Sequence, residues 1–186
     1  MMQGILCNGP GEKKYCNTII TPVNIRYMIM RKVEPRDNAA LAKMIRDVFV
    51  EHDAPREGTV FSDPTTDSLY ELFQVPGAVL WVAEMDGIAA GCCGIYPTEG
   101  LEKNCAELVK FYLSGETRGK GVGRALMQKC VASAREMGYT QLYIESLPHF
   151  DKAVSIYEKQ GFIMLDKPLG NSGHHGCNIW MLKDLT

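Results

Sequence analysis

ETRGKGVGRALM, Glu116–Met127, sets Gly119, Gly121 and Gly123 among Arg118, Lys120 and Arg124, with an apolar periodic run behind. Such a run marks a tight loop opening a helix. The first N–H groups of a helix have no partner inside it. They and the helix dipole favour an anion. Glycines let the backbone approach that anion closely, and the three cations add charge. The expected ligand therefore carries phosphate; the alternative is a tight turn with a solvated basic edge. Two familiar phosphate loops fit poorly. A P-loop needs Ser or Thr after its Gly-Lys pair, and here Gly121 follows Lys120. The dinucleotide fingerprint needs GxGxxG; this run is GxGxG, and no suitable acidic residue follows the next strand.

Outward from the loop, hydrophobic periodicity orders the chain. Tyr27–Val33 reads as a strand. Asp37 is an N-cap candidate for a helix over Asn38–Glu51, with Leu41, Met44, Ile45 and Val48 on one face. Asp63-Pro64 gives a cap and a first-turn proline for a second helix reaching about Phe73. Ala78–Glu84 and Ile88–Tyr96 are strands joined by a hairpin at Met85-Asp86-Gly87. Ala106–Leu113 is a strand and Gly121–Met137 a helix that Gly138 ends. Gln141–Glu145 is a strand, Phe150–Gln160 a helix ended by Gly161, and Phe162–Leu165 and Asn178–Lys183 are strands. The order predicts an α/β fold, a mixed central sheet flanked by helices on both faces. Ala106–Leu113 and Gln141–Glu145 should be its parallel pair, linked by the helix behind the glycines.

The chain has 186 residues, enough for one domain with a real core. Lys plus Arg number 20 and Asp plus Glu 22, so no basic footprint points to nucleic acid. No apolar run is long enough to cross a membrane. Residues 1–26 show no clean period and read as an N-terminal extension or arm; residues 27–186 form the domain. No signal-peptide pattern is present, and the seven cysteines suit a reducing compartment, so a cytoplasmic location is expected. Cys92 and Cys93 lack CxxC spacing and should be buried structural thiols.

The loop fits R-x-x-G-x-G with Arg118, Gly121 and Gly123 in the defined places. In that respect it resembles the coenzyme A signature of the GNAT family of N-acetyltransferases. AELVKFYLSGETRGKGVGRAL (Ala106–Leu126) resembles that family's strand–loop–helix, and AVSIYEKQGF (Ala153–Phe162) its penultimate helix and turn. The likeness covers about residues 27–186. It implies acetyl-CoA as acyl donor, acetyl transfer to a small-molecule or peptide amine, and no metal. It implies that the amides of Gly119, Lys120, Gly121, Val122, Gly123 and Arg124 hold the pyrophosphate, with Arg118 opening the motif. It also implies that Phe111, Tyr112 and Leu113 line the pantetheine arm. A backbone N–H there would polarise the thioester carbonyl.

An ammonium must lose a proton before it can attack. Glu107, eleven residues before Arg118, stands where some members of the family place their base. Strand alternation groups it with Val109, Phe111 and Leu113; the plainer reading is a strand-edge carboxylate. Tyr157, four residues before Gly161, stands at the family's general-acid position, and the plainer reading there is a packing aromatic. Many members carry Asn three residues before the position of Ala153; this chain has Phe150. His174 and His175 read as an exposed glycine-rich turn, or as a wall of the acceptor pocket. A non-catalytic acyl-CoA-binding module and a nucleotide-binding domain are the competing functions. A two-fold homodimer is the oligomer to test for.

Overall fold

The computed structural model describes residues 28–186. The arm read over residues 1–26 lies outside the described residues, as do Tyr27, Cys7 and Cys16. The strands are β1 (Met28–Lys32), β2 (Val79–Met85), β3 (Ile88–Tyr96), β4 (Cys105–Leu113), β5 (Gln141–Ser146), β6 (Ile163–Leu165) and β7 (Ile179–Asp184). They form one sheet in the order β1-β2-β3-β4-β5-β7-β6. Among the described residues, only β4 and β5 pair in parallel. The helices are α1 (Asn38–Glu51), α2 (Leu69–Leu72), α3 (Val122–Glu136) and α4 (Asp151–Lys159).

The apolar stripe of α1 packs on one face of the sheet, with Leu41, Ile45 and Phe49 against Leu80, Val82 and Cys92. α3 covers the other face with Val122, Leu126, Met127 and Cys130, against Cys93, Ile95, Leu108 and Ile144. Both faces of β3 and β4 are thus buried, which is why their sequences read as nearly continuous apolar runs. Cys92 and Cys93 are buried free thiols, one facing each layer. The hairpin turn has positive φ at Asp86 (52°) and Gly87 (82°), the two-residue geometry that suits strand twist.

The two expected helix starts differ from their reading. Asp37 does not cap α1. Its carboxylate turns back to accept from the Glu34 N–H (2.7 Å) and from the fork of Arg31 (2.7 and 2.8 Å), within a short 3-10 turn, Pro35–Asp37. A charge-assisted bidentate pair outcompetes a cap bond. Asp63 does accept from the Thr65 N–H at 2.9 Å. The helix behind it breaks at Ser68 into a 3-10 turn, Pro64–Asp67, and the single turn of α2.

Two features of β4 shape the cavity beside it. It pairs with β5 only over Cys105–Glu107, so from Leu108 onward the parallel strands part. It also carries a bulge: Val109 faces Gly94 and Tyr112 faces Cys92, leaving one residue too many between them. Lys110 sits in that bulge at φ +53°. The alternation expected along β4 therefore fails. Glu107, Val109, Lys110 and Tyr112 face the α1 layer, whereas Phe111 and Leu113 face α3.

Candidate active site

The parting of β4 and β5 opens a cavity of about 340 Å³. On the α3–α4 side it is lined by Phe111, Leu113, Gly119, Ala153, Ile156 and Tyr157. On the α1 side it is lined by Phe49, Thr59, Glu107, Glu145, His174 and Cys177. Beyond Glu107, one edge of the β4 backbone has lost its strand partner and faces this opening. The three residues expected around the donor arm divide accordingly. Phe111 and Leu113 border the α3 side, while Tyr112 packs its ring on Phe49 and Phe150 at 5.9 and 6.3 Å.

The glycine loop enters α3 from the C-terminal end of β4. Gly119 and Gly121 have φ of +74° and +80°, and a Cβ on either would meet nothing within 4 Å. Their backbone conformation requires glycine, and the space above them is open. Gly121 is the N-cap of α3, so the amides of the first turn lack intrahelical partners. Gly123 serves packing instead: a Cβ there would lie 3.1 Å from Leu113 and from Phe111. Val122 is buried in the core, so only its backbone can serve a ligand. Lys120 and Arg124 are exposed. Arg118 turns away from the loop: its guanidinium donates to the Leu113 carbonyl (3.3 and 3.2 Å) and pairs with Glu51 at the end of α1.

Glu107 is 4% exposed. The Thr98 hydroxyl donates to its Oε2 at 2.5 Å, and Oε1 has no partner among the described residues. Burial pushes its carboxyl up to about 7; the Thr98 hydrogen bond opposes this, the charge of Glu145 adds to it, and Lys110 opposes it. Tyr157 is 5% exposed and lies between the rings of Phe111 and Phe162. Its hydroxyl makes no hydrogen bond among the described residues, and burial holds its proton well above the ordinary phenol range. Glu107 and Tyr157, fifty residues apart in sequence, thus line one cavity from opposite layers.

Sequence reasoning missed a second polar cluster. Lys110 Nζ lies 3.2 Å from Asp63 Oδ2, and His174 Nε2 meets the same oxygen at 3.1 Å. Burial alone would raise the Asp63 carboxyl, but His174, Lys110 and the Thr65 donors hold it well below the carboxylate range. His174 is therefore no exposed turn residue but part of the cavity wall; His175 is exposed. The signal was present in the sequence: a lysine amid the apolar run LVKFYL, Leu108–Leu113, must find a buried anion. Phe150, where the family often has Asn, packs on Phe49 at 5.3 Å and lines the cavity. No group of three or more metal-ligating side chains converges among the described residues.

The profile of the Acetyltransferase (GNAT) family matches residues 45–162. The chain belongs to the GNAT acetyltransferase family. It is 37% identical over 158 residues to an uncharacterized N-acetyltransferase, YjgM, of Escherichia coli (strain K12), covering 84% of this chain and 95% of that one. Human N-acetyltransferase 8B is 30% identical over 124 residues, which is 66% of this chain and 50% of that longer protein. Among solved structures, a GNAT acetyltransferase of Staphylococcus aureus MU50 superposes with a TM-score of 0.76 at 17% identity, covering 86% of this chain and 100% of that one. A Salmonella typhimurium protein solved with its cofactor acetyl-CoA gives 0.68 at 18% identity, covering 86% and 95%. The chain is accordingly an acyltransferase of a family that uses acetyl-CoA. No helix among the described residues is long and apolar enough to cross a membrane.

Proposed function

We propose that this GNAT acetyltransferase moves acetyl from acetyl-CoA directly to a primary amine, with Glu107 as base and Tyr157 as acid. The observation that carries this reading is the convergence of those two buried side chains, each with an unpartnered oxygen, on one cavity where β4 and β5 part. The donor fits the same opening. The first-turn amides of α3 and the open ground over Gly119 and Gly121 suit a pyrophosphate. The unpartnered β4 edge at Phe111–Leu113 suits an amide-bearing arm. Arg118 then acts by bracing the end of β4 rather than by touching phosphate, because its donors are committed to Leu113 and Glu51.

The proton balance follows. The acceptor arrives as an ammonium. Glu107, titrating near neutrality, takes one proton directly or through one water. The amine nitrogen attacks the acetyl carbon; the C–N bond forms, the nitrogen releases its second surplus proton to water as the C–S bond breaks, and Glu107 then returns its own proton to solvent. Tyr157, whose proton burial retains, donates it to the departing sulfur and is reprotonated from solvent. Backbone N–H groups of β4 stabilise the developing oxyanion.

The test is release of free CoA thiol from acetyl-CoA across an amine library, with wild type, Glu107→Gln and Tyr157→Phe. Loss of turnover in both variants with acetyl-CoA binding retained is expected. Full turnover in either removes that residue from the mechanism.

A further inference from the structure

The acceptor side of the cavity has an unbalanced charge. Lys110, its buried cation, is committed to Asp63 at 3.2 Å and also reaches Thr66 Oγ1 at 3.4 Å. His174 shares the same aspartate. At the far end, Arg118 is committed to Glu51. Glu145 has no such partner. It lines the cavity two residues beyond Tyr143, the register partner of Glu107. Its Oε1 accepts from the buried Tyr143 hydroxyl at 2.8 Å, and its Oε2 from the Ser172 hydroxyl at 2.6 Å. Both donors are neutral, and no ion pair to Glu145 exists among the described residues. Each carboxylate oxygen keeps acceptor capacity beyond the bond it already makes. Ser172 is itself held by the His174 N–H at 3.1 Å, so the Gly-rich loop before β7 fixes the carboxylate in place.

Beside it stands Glu107, nine-tenths buried, with Oε1 unpartnered and open to the same cavity. A base must give up its charge when it takes the acceptor's proton, so Glu107 is no permanent counter-ion. Glu145 does no proton transfer in the reading above and retains the role of counter-ion. A positioned carboxylate with only neutral partners in a partly desolvated pocket attracts a cation strongly.

We propose that Glu145 is the specificity-determining carboxylate of the acceptor site. The acceptor is a diamine-type molecule: one nitrogen is acetylated at Glu107 while a second cationic nitrogen rests on Glu145. This inference rests on the transferase reading above and adds the substrate class to it.

The test compares diaminobutane with aminobutanol, which replaces the second ammonium by a hydroxyl at nearly equal length, in wild type and Glu145→Gln. In wild type the diamine should be favoured in kcat/KM by roughly tenfold or more, the size of one charge-assisted hydrogen bond. The preference should lie in KM, and Glu145→Gln should bring the two substrates to within about threefold of each other. Equal use of both by wild type overturns the inference, as does a preference that survives Glu145→Gln. Calorimetric binding of diaminobutane to wild type and Glu145→Gln in the presence of CoA reads the same contact without turnover; equal binding by both proteins also overturns it. The transferase reading fails separately, if Glu107→Gln and Tyr157→Phe leave CoA release intact on whichever amine wild type acetylates.

Discussion

The Thr98 hydroxyl meets Glu107 Oε2 at 2.5 Å, from just past the end of β3 to the α1 face of β4. That bond favours the charged carboxylate against the burial that disfavours it. With a carboxyl titrating at about 7, kcat/KM should rise with pH through neutrality as Glu107 ionises. Thr98→Ala removes an opposing influence, so the rising limb should move to higher pH, by about one unit. A pH–rate profile checks it; an unmoved limb separates Thr98 from the titrating base.

Stability should report the same group with the opposite sign. The folded carboxyl holds its proton more tightly than the unfolded chain does, whose ordinary value is 4.5. The stability tied to Glu107 is therefore fully present below about 4.5 and is lost as pH rises through about 7. Glu107→Gln abolishes that loss. The variant should match wild type near pH 5 and exceed it at pH 8, by up to about 3 kcal/mol. Urea melts at the two pH values decide it.

Tyr157→Phe removes a hydroxyl with no hydrogen-bond partner among the described residues and leaves the ring between Phe111 and Phe162. Stability should change by less than about 0.5 kcal/mol. If the hydroxyl protonates the leaving sulfur, kcat should fall by about a hundredfold or more. A large fall in Tm with kcat retained would instead mark a packing role.

Gly121→Ala places a side chain where φ is +80° but no neighbour lies within 4 Å. The cost is conformational, about 1–2 kcal/mol. The shifted amides should raise KM for acetyl-CoA more than they lower kcat. Gly123→Ala differs, because its Cβ would press on Leu113 and Phe111 at 3.1 Å. It should disturb the end of β4 and lower kcat as well. Steady-state kinetics on the two variants separates the effects.

Lys110→Ala should destabilise by about 3 kcal/mol, because Asp63 then loses its lysine and keeps only its hydrogen bonds with His174 and Thr65. Lys110→Gly also loses the ion pair but relieves a φ of +53°, and should be less harmful by several tenths of a kcal/mol. Thermal melts rank the two.

Most of the architecture was legible because it is local. The 3.6-residue stripe of α1, the two-residue turn at Asp86-Gly87 and the glycines ending α3 and α4 each carry their conformation in their own neighbours. Where a distant partner competed, the reading failed. Asp37 bonded Arg31 instead of capping, and the bulge at Lys110 turned Glu107 away from the face of Phe111 and Leu113.

The sequence by itself determined the fold, the family and the glycine turn that opens α3 within Glu116–Met127, since turn geometry and helix starts are written in consecutive residues. Only the tertiary structure decided which side chains share the cavity. Glu107 and Lys110 of β4, Glu145 of β5 and His174 of the loop before β7 meet there, and their meeting depends on where β4 parts from β5. No local periodicity encodes that divergence, because it results from packing two helical layers against one twisted sheet.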